Sequence, residues 1–304
     1  MKIRVLGSAA GGGFPQWNCN CPNCARLRSG EIDAQARTQS SIAVSADGKS
    51  WVLFNASPDV RQQLEAFPEA HPRRGVRDTG ICAVLLIDAH IDHTAGLFIL
   101  REGDPLHIYC TDPVFSDLTT GNPVLNLLSH YCGVNRSPIP LDTEGGFRID
   151  GIDGLRFTAI ALAGKPPPFS PRRNDPAVGD NIGIRVDDER TGGSLFYAPG
   201  LAGIDGQVER CFDECDCLLV DGTFWTDDEL VQHGAGSKRA SDMGHLPQSG
   251  PGGMLEVLRP IEQTRRVLIH INNTNPILDE ASPERAELDA AGVEVAHDGM
   301  EITL

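Results

Sequence analysis

Four side chains able to ligate a metal or carry a proton stand within six residues, in Asp88-Ala89-His90-Ile91-Asp92-His93. The run follows the apolar stretch Cys82 to Ile87 and precedes Thr94-Ala95-Gly96. A continuous apolar stretch of that length reads as a buried strand. Imidazoles and carboxylates at the end of such a strand, with a tight turn after them, converge on one point. Imidazole plus carboxylate suits zinc or iron. The bland alternative is a charged loop in which Asp92 caps a helix and the histidines are solvated. His270 argues against it, because it stands in a second apolar strand, Val267-Leu268-Ile269-His270-Ile271, with polar Asn272-Asn273-Thr274-Asn275 following. A lone strand histidine is more often a satisfied core residue than a ligand, but two strands of the same type make convergence plausible. His245, in the polar run Met243-Gly244-His245-Leu246, is a weaker candidate, and His233 is weaker still.

A second cluster is Cys19-Asn20-Cys21-Pro22-Asn23-Cys24. Thiolates at this spacing can occupy adjacent vertices of a tetrahedron, which suits structural zinc. No nearby Cys or His supplies a fourth ligand. The alternative, three reduced surface thiols, suffers from the ease with which exposed clustered thiols oxidise. Cys211, Cys215 and Cys217 sit where a helix leads into an apolar strand and read as buried thiols; Cys82, Cys110 and Cys132 read as core residues. Nine cysteines, an odd number in a chain too large to need staples, fit a reducing compartment better than disulfides. The glycine-rich run from Gly7 to Gly13 superficially suggests a dinucleotide site, yet no convincing helix opens there and Pro15-Gln16-Trp17 lead straight into the Cys cluster. Close approach of the backbone, to a ligand for example, is the better use of those glycines.

The elements that must position these groups alternate between short β-rich runs and helices. Ile3 to Leu6 opens as a strand. Ser41 to Ser45 and Trp51 to Phe54 form a hairpin pair about Asp47-Gly48, and Ser57-Pro58-Asp59 caps a helix running to about Ala66. Further strands are expected at Leu155 to Leu162, Ile182 to Val186, Leu195 to Ala198, Cys217 to Val220, Val267 to Ile271 and Val293 to Ala296. Helices are expected at Pro113 to Ser129, Asp205 to Asp213, Gly252 to Leu258 and Pro283 to Ala290. The irregular stretches Lys165 to Gly179 and Gly234 to Gly253 read either as lids or site walls, or as solvated excursions. No composition shift marks a boundary, so residues 1–304 read as one domain, with the Cys knuckle at 19–24.

Composition excludes several roles. The formal charge is -16 over 304 residues, with no stretch rich in Lys and Arg. Such a surface is a poor partner for nucleic acid or for an anionic membrane. The opening MKIRVLGSAAGGGF lacks an apolar core for a signal peptide, and no apolar run approaches the ~20 residues of a membrane span. A soluble, cytoplasmic protein is expected, as a monomer or homodimer.

The run Asp88 to His93 resembles the His-x-His-x-Asp-His signature of the metallo-β-lactamase superfamily, with Asp88 at the place of the first His. The resemblance covers nearly the whole chain and implies an α/β fold, an αββα sandwich of two packed mixed sheets with helices outside. The Cys knuckle resembles the structural-zinc branch that includes a cyclic-phosphate phosphodiesterase; that relative's fourth ligand aligns near Asn273, a poor zinc ligand, so the fourth ligand stays open. The longer runs Gly7 to Cys19, Gly179-Asp180-Asn181-Ile182-Gly183 and His270 to Pro276 are similar to the PQQ biosynthesis protein B family. Hydrolases of the superfamily usually hold two metals. Here Asp88 takes the first His place, no mid-chain His lies near Ala163-Gly164-Lys165, and Tyr197-Ala198-Pro199-Gly200 stands where the bridging Asp usually follows a strand.

The resemblance therefore implies one gutted metal site and one kept, the latter from Asp92, His93 and His270. Two imidazoles and one carboxylate are the ligand type of non-haem Fe(II) oxygenases. The family resemblance implies an Fe(II)- and O2-dependent hydroxylase acting on the tyrosine unit of a Glu–Tyr-derived peptide precursor of pyrroloquinoline quinone, with other proteins of that pathway as candidate partners. Asp88, His90 and His245 would support the ligands or carry protons, and Cys19, Cys21 and Cys24 would hold structural Zn(II). The alternatives are a metal-dependent hydrolase and a carrier that binds the finished cofactor for export.

Overall fold

The computed structural model describes residues 1–141 and 145–304. Among them run thirteen strands: β1 (Lys2–Gly7), β2 (Ser41–Ser45), β3 (Trp51–Phe54), β4 (Ile81–Leu85), β5 (Leu106–Cys110), β6 (Val134–Pro138), β7 (Leu155–Ala161), β8 (Ile182–Asp188), β9 (Ser194–Ala198), β10 (Cys217–Asp221), β11 (Arg265–Ile269), β12 (Val293–Val295) and β13 (Glu301–Thr303). The chain divides into two compact units. The first comprises Met1–Leu6, Ser41–Ser194 and Gly299–Leu304; the second comprises Gly7–Ser40 and Leu195–Asp298.

The first unit is built on a seven-stranded sheet in the order β13-β1-β2-β3-β4-β5-β6. β2 and β3 pair as the expected antiparallel hairpin. Asp47 makes its turn by accepting the amides of Lys49 (2.8 Å) and Ser50 (3.0 Å). β3 to β6 then run parallel. Parallel neighbours need crossover segments, and those segments cover the sheet, so β3 is buried at every position and its sequence shows no alternation. Leu53, Val84, Leu86, Leu97, Ile108, Val114 and Leu128 belong to one core cluster. Trp51 meets Phe67 edge-on within it, with centroids 4.9 Å apart. β7 and β8 form a long antiparallel pair in register from Leu155–Asp188 to Ala161–Ile182.

The second unit carries the parallel strands β9, β10, β11 and β12, with β10 between β9 and β11 and β12 beyond β11. Helix Gly206–Glu214 connects β9 to β10 and helix Pro283–Ala290 connects β11 to β12. Their starts are set by capping. The Asp205 side chain accepts the amides of Gln207 and Val208, and the Ser282 hydroxyl accepts that of Arg285. Val208, Cys211 and Phe212 are the buried face of the first helix.

Some expectations fail for local reasons. The helix expected at Pro113 to Ser129 is two short helices, Asp112–Asp117 and Val124–Leu128. Gly121-Asn122-Pro123 separate them, because proline cannot continue a helix it interrupts. β5, β6 and β13 were not expected; β6 and β13 are short and partly exposed and lack an apolar run. β11 ends at Ile269, so His270 follows the strand instead of lying inside it. Among the described residues no helix is long and apolar enough to cross a membrane.

Candidate metal centres

In the first unit the carboxylate–imidazole run begins three residues past β4. The chain there is held on three sides: Leu86 N–H donates to Tyr109 O (2.9 Å), Ile87 N–H to Asn55 Oδ1 (3.3 Å), and Ile87 O accepts from Ile182 N (3.0 Å). His90 then opens a short helix, Ile91–Thr94, whose His93 O accepts from Ala56 N at 2.7 Å. Gly96 allows this close packing, since a Cβ there would sit 2.1 Å from Ser57 O.

Both Asp88 oxygens lie at hydrogen-bond distance from His93 Nδ1 (2.9 and 2.8 Å), and Oδ1 also accepts the His90 amide (2.9 Å). Burial works against a charged Asp88, but His93 beside it holds the carboxyl below its ordinary range. Burial likewise opposes a charged His93, and the carboxylates of Asp88 and Asp92 outweigh it, lifting the imidazole to about 9. Asp92 is half-buried, with its Oδ2 3.9 Å from His93 Nε2. This corner of the protein is built to attract positive charge. His90 is the residue preceding the helix, and its backbone O accepts from the Thr94 hydroxyl (2.8 Å).

The second unit has a matching strand-end arrangement. β10 ends at Asp221, which is fully buried, and Gly222 and Thr223 follow. Gly222 fits because a Cβ would press on Ile269 O at 2.9 Å. Asp221 accepts four hydrogen bonds: from Leu201 N (2.8 Å), Thr223 N (2.9 Å), Thr223 Oγ1 (2.6 Å) and His245 Nδ1 (2.8 Å). Burial pushes this carboxyl up, but His245 and the Thr223 hydroxyl overcome that and keep it below its usual range.

His270 stands just past β11 in the left-handed region, at φ 62°, which turns its side chain out of the strand's own alternation. Its Nδ1 lies 2.9 Å from Thr223 Oγ1. The single hydroxyl proton of Thr223 goes to Asp221, so Oγ1 accepts here and the His270 proton resides on Nδ1. The His245 and His270 rings stack at 5.4 Å. Asp221 thus sets the tautomers of two imidazoles, one directly and one through Thr223.

The Cys knuckle lies within the second unit. Cys21 precedes helix Pro22–Ser29, Pro22 is its first residue, and Cys24 is inside its first turn. One Sγ from each of Cys19, Cys21 and Cys24 lies within 4.8 Å of the others. Backbone amides point at the sulfurs, Cys21 N to Cys19 Sγ and Gln16 N to Cys24 Sγ, both at 3.4 Å. Burial pushes the Cys21 thiol up to about 12, so a cation is needed to hold it as thiolate near neutrality.

The model of the β-lactamase superfamily domain matches residues 50–271. Coenzyme PQQ synthesis protein B of Methylobacillus flagellatus is 60% identical over 305 residues, covering 100% of both chains. The chain belongs to the coenzyme PQQ synthesis protein B family of the β-lactamase superfamily. The zinc-bound PqqB structure from Methylobacterium extorquens is 40% identical, covers 100% of both chains and superposes with a TM-score of 0.90. A diphosphatase from the PhnP family shares the fold at a TM-score of 0.68, with 18% identity over 100% of this chain and 97% of its own. The fold is that of the metallo-β-lactamases, α/β with two mixed sheets and helices.

The other candidate residues of this family member sort plainly. Asp88, His90, Asp92 and His93 lie together in the first unit; His245 and His270 lie together in the second. His233 is exposed at the end of helix Glu229–Gln232. Cys211, Cys215 and Cys217 are buried thiols, as is Cys110, while Cys82 and Cys132 are half-buried. The glycine-rich run approaches its own chain: Ala10 N–H donates to Ile271 O (2.9 Å), and a Cβ on Gly13 would meet Arg37 O at 3.2 Å. The stretch from 165 to 179 is pinned in place, with Ser170 Oγ donating to Asp117 (2.7 Å) and Arg172 Nη2 to Asp180 (2.8 Å). Asp221 and Thr223 were missed by sequence reasoning. Their signal was the one used at Asp88: a fully apolar strand, Cys217 to Val220, running into a carboxylate and a glycine.

Proposed function

We propose that the protein is a non-haem Fe(II)-dependent oxygenase of pyrroloquinoline quinone synthesis, hydroxylating the tyrosine unit of a Glu–Tyr-derived precursor, with Asp92, His93 and His270 as metal ligands. The observation that carries this reading is the commitment of both imidazoles. His93 Nδ1 is engaged by Asp88 and His270 Nδ1 by Thr223, so each would ligate through Nε2. A metal-bound histidine characteristically donates its other N–H to a carboxylate or another protein oxygen in this way. Two imidazoles and one carboxylate fit iron, and bound iron would supply the activation of dioxygen.

The remaining residues have proton-handling roles. His245, whose Nδ1 donates to Asp221, would act as the general base toward a phenol. The buried Asp221 carboxylate would stabilise the imidazolium that results. A two-metal hydrolase needs ligands for a second ion. Asp88, at the place of the signature's first histidine, spends both oxygens on His93, which supports the one-metal reading.

The test is O2 uptake with mass spectrometry of product, using iron-loaded protein and a tyrosine-containing dipeptide. Oxygen-dependent ring hydroxylation is expected, and His93→Ala and His270→Ala should lose both iron and activity. Retention of both by either variant refutes the ligand assignment. About one Fe per chain besides zinc is expected after anaerobic purification. Two zinc ions at the active site, as in hydrolases of the superfamily, would refute the oxygenase, and so would tight PQQ binding without O2 consumption.

A further inference from the structure

The peptide that joins Asn181 to Ile182, at the start of β8, is bonded on both sides. Ile182 N–H donates to Ile87 O (3.0 Å), and Asn181 O accepts from Leu162 N (2.9 Å). The N–H and C=O of one trans peptide point opposite ways. The chain leaving β7 and the chain running into Asp88 therefore flank it. Paired segments lie about 4.8 Å apart, which puts those two chains about 10 Å from each other. A dipeptide at about 3.5 Å per residue, plus a tyrosine ring, spans a distance of that order.

The chain leaving β7 carries Gly164 and Lys165. A Cβ on Gly164 would sit 2.8 Å from Asn181 Nδ2, so the Asn181 amide occupies the space a side chain would take there. That Nδ2 is buried with no acceptor among the described residues, while Asn181 as a whole is half-buried. A half-turn of the amide seats Oδ1 over Gly164 and moves the N–H donors to the outer position. Lys165 is exposed, and its main chain is fixed on both sides. Gly164 lies under the amide; Pro166 and Pro167 are buried, and the Arg173 guanidinium donates to Pro166 O. Proline after Lys165 restricts its backbone further. The neighbouring cation Arg172 is spent on Asp117 (3.1 Å) and Asp180 (2.8 Å). Lys165 has no carboxylate partner among the described residues.

We propose that Lys165 and Asn181 form a carboxylate subsite that orients an anionic peptide substrate, with its phenol toward Asp92 and His93. The inference rests on the reading of the substrate as a Glu–Tyr-derived precursor, which carries carboxylates. The chain bears a formal charge of -16, and Asp88 and Asp92 add negative charge at the site itself. An anionic substrate needs a local cation to offset that repulsion. An ammonium on a fixed main chain meets this need with less ordering cost than one on a loose loop.

The experiment is calorimetric titration of the full-length, zinc-loaded protein with glutamyl-tyrosine and with glutaminyl-tyrosinamide, which keeps the shape and lacks both carboxylates. The wild type should bind the acid about tenfold or more tightly than the amide. Lys165→Gln should lose most of that preference with the amide's affinity and the metal content unchanged, and Lys165→Arg should restore it. Asn181→Ala should lower the preference several-fold. Equal binding of acid and amide by the wild type, or no binding of either, overturns the proposal. So does a Lys165→Gln protein that keeps the preference or loses both ligands alike. O2 uptake with glutamyl-tyrosine and iron-loaded protein separates the two readings. Hydroxylation alongside an unchanged preference in Lys165→Gln sinks the subsite alone. A preference lost in Lys165→Gln, with no O2 uptake by the wild type, sinks the oxygenase alone.

Discussion

Glu229 offers a measurable consequence of how the loop after His270 is held. It is the first residue of helix Glu229–Gln232 and is 3% exposed. One carboxyl oxygen accepts from Trp225 N (2.6 Å) and the other from the Thr274 hydroxyl. Burial raises this carboxyl from 4.5 to about 7, against the hydrogen bonds from Thr274 and Trp225. Between those two values the folded protein keeps a proton that the unfolded chain has lost. The stability that this group contributes therefore falls as pH rises through that window and is gone just above pH 7. At about 1.4 kcal/mol per unit, the loss attributable to this one group is on the order of 3 kcal/mol. Glu229→Gln keeps the shape and one acceptor oxygen and cannot ionise. Urea denaturation of both proteins from pH 4.5 to 8.5 isolates the effect as a difference. The two should be within ~1 kcal/mol of each other at the acid end, where both side chains are neutral, and the variant should lead by ~3 kcal/mol at the alkaline end. Parallel curves, or a variant less stable at pH 8, would refute the reasoning that burial dominates at Glu229.

Three further outcomes follow from the site. Thr223→Val removes the acceptor of His270 Nδ1 and should weaken active-site metal binding about 10- to 100-fold in chelator competition, with an unchanged circular dichroism spectrum. Asp88→Ala deprives His93 of both of its Nδ1 contacts and should cost a similar factor, while the knuckle zinc stays bound in the same titration. Gly96→Ala drives a methyl group to 2.1 Å from Ser57 O and should lower stability by roughly 3 kcal/mol, read as a drop in melting temperature.

What the sequence disclosed and what it withheld divide along a physical line. Strand-end chemistry was legible because buried parallel strands are written as unbroken apolar runs, and a carboxylate or imidazole straight after one has few structural excuses. That logic found Asp88, His93 and His270. Applied to Cys217–Val220 it would also have found Asp221, whose position repeats that of Asp88. The hairpin at 41–54 was legible because turn chemistry and strand chemistry are both local. Partnerships made across long sequence separations were not. Nothing in Thr223 announces that its hydroxyl ties the Asp221 carboxylate to an imidazole 47 residues onward. Asn273 looked unfit beside the knuckle because the sequence shows residue type and not placement. Its side-chain amide is held 3.1 to 3.4 Å from the sulfurs of Cys19, Cys21 and Cys24, a placement that only the folded chain makes, because some 250 residues separate them.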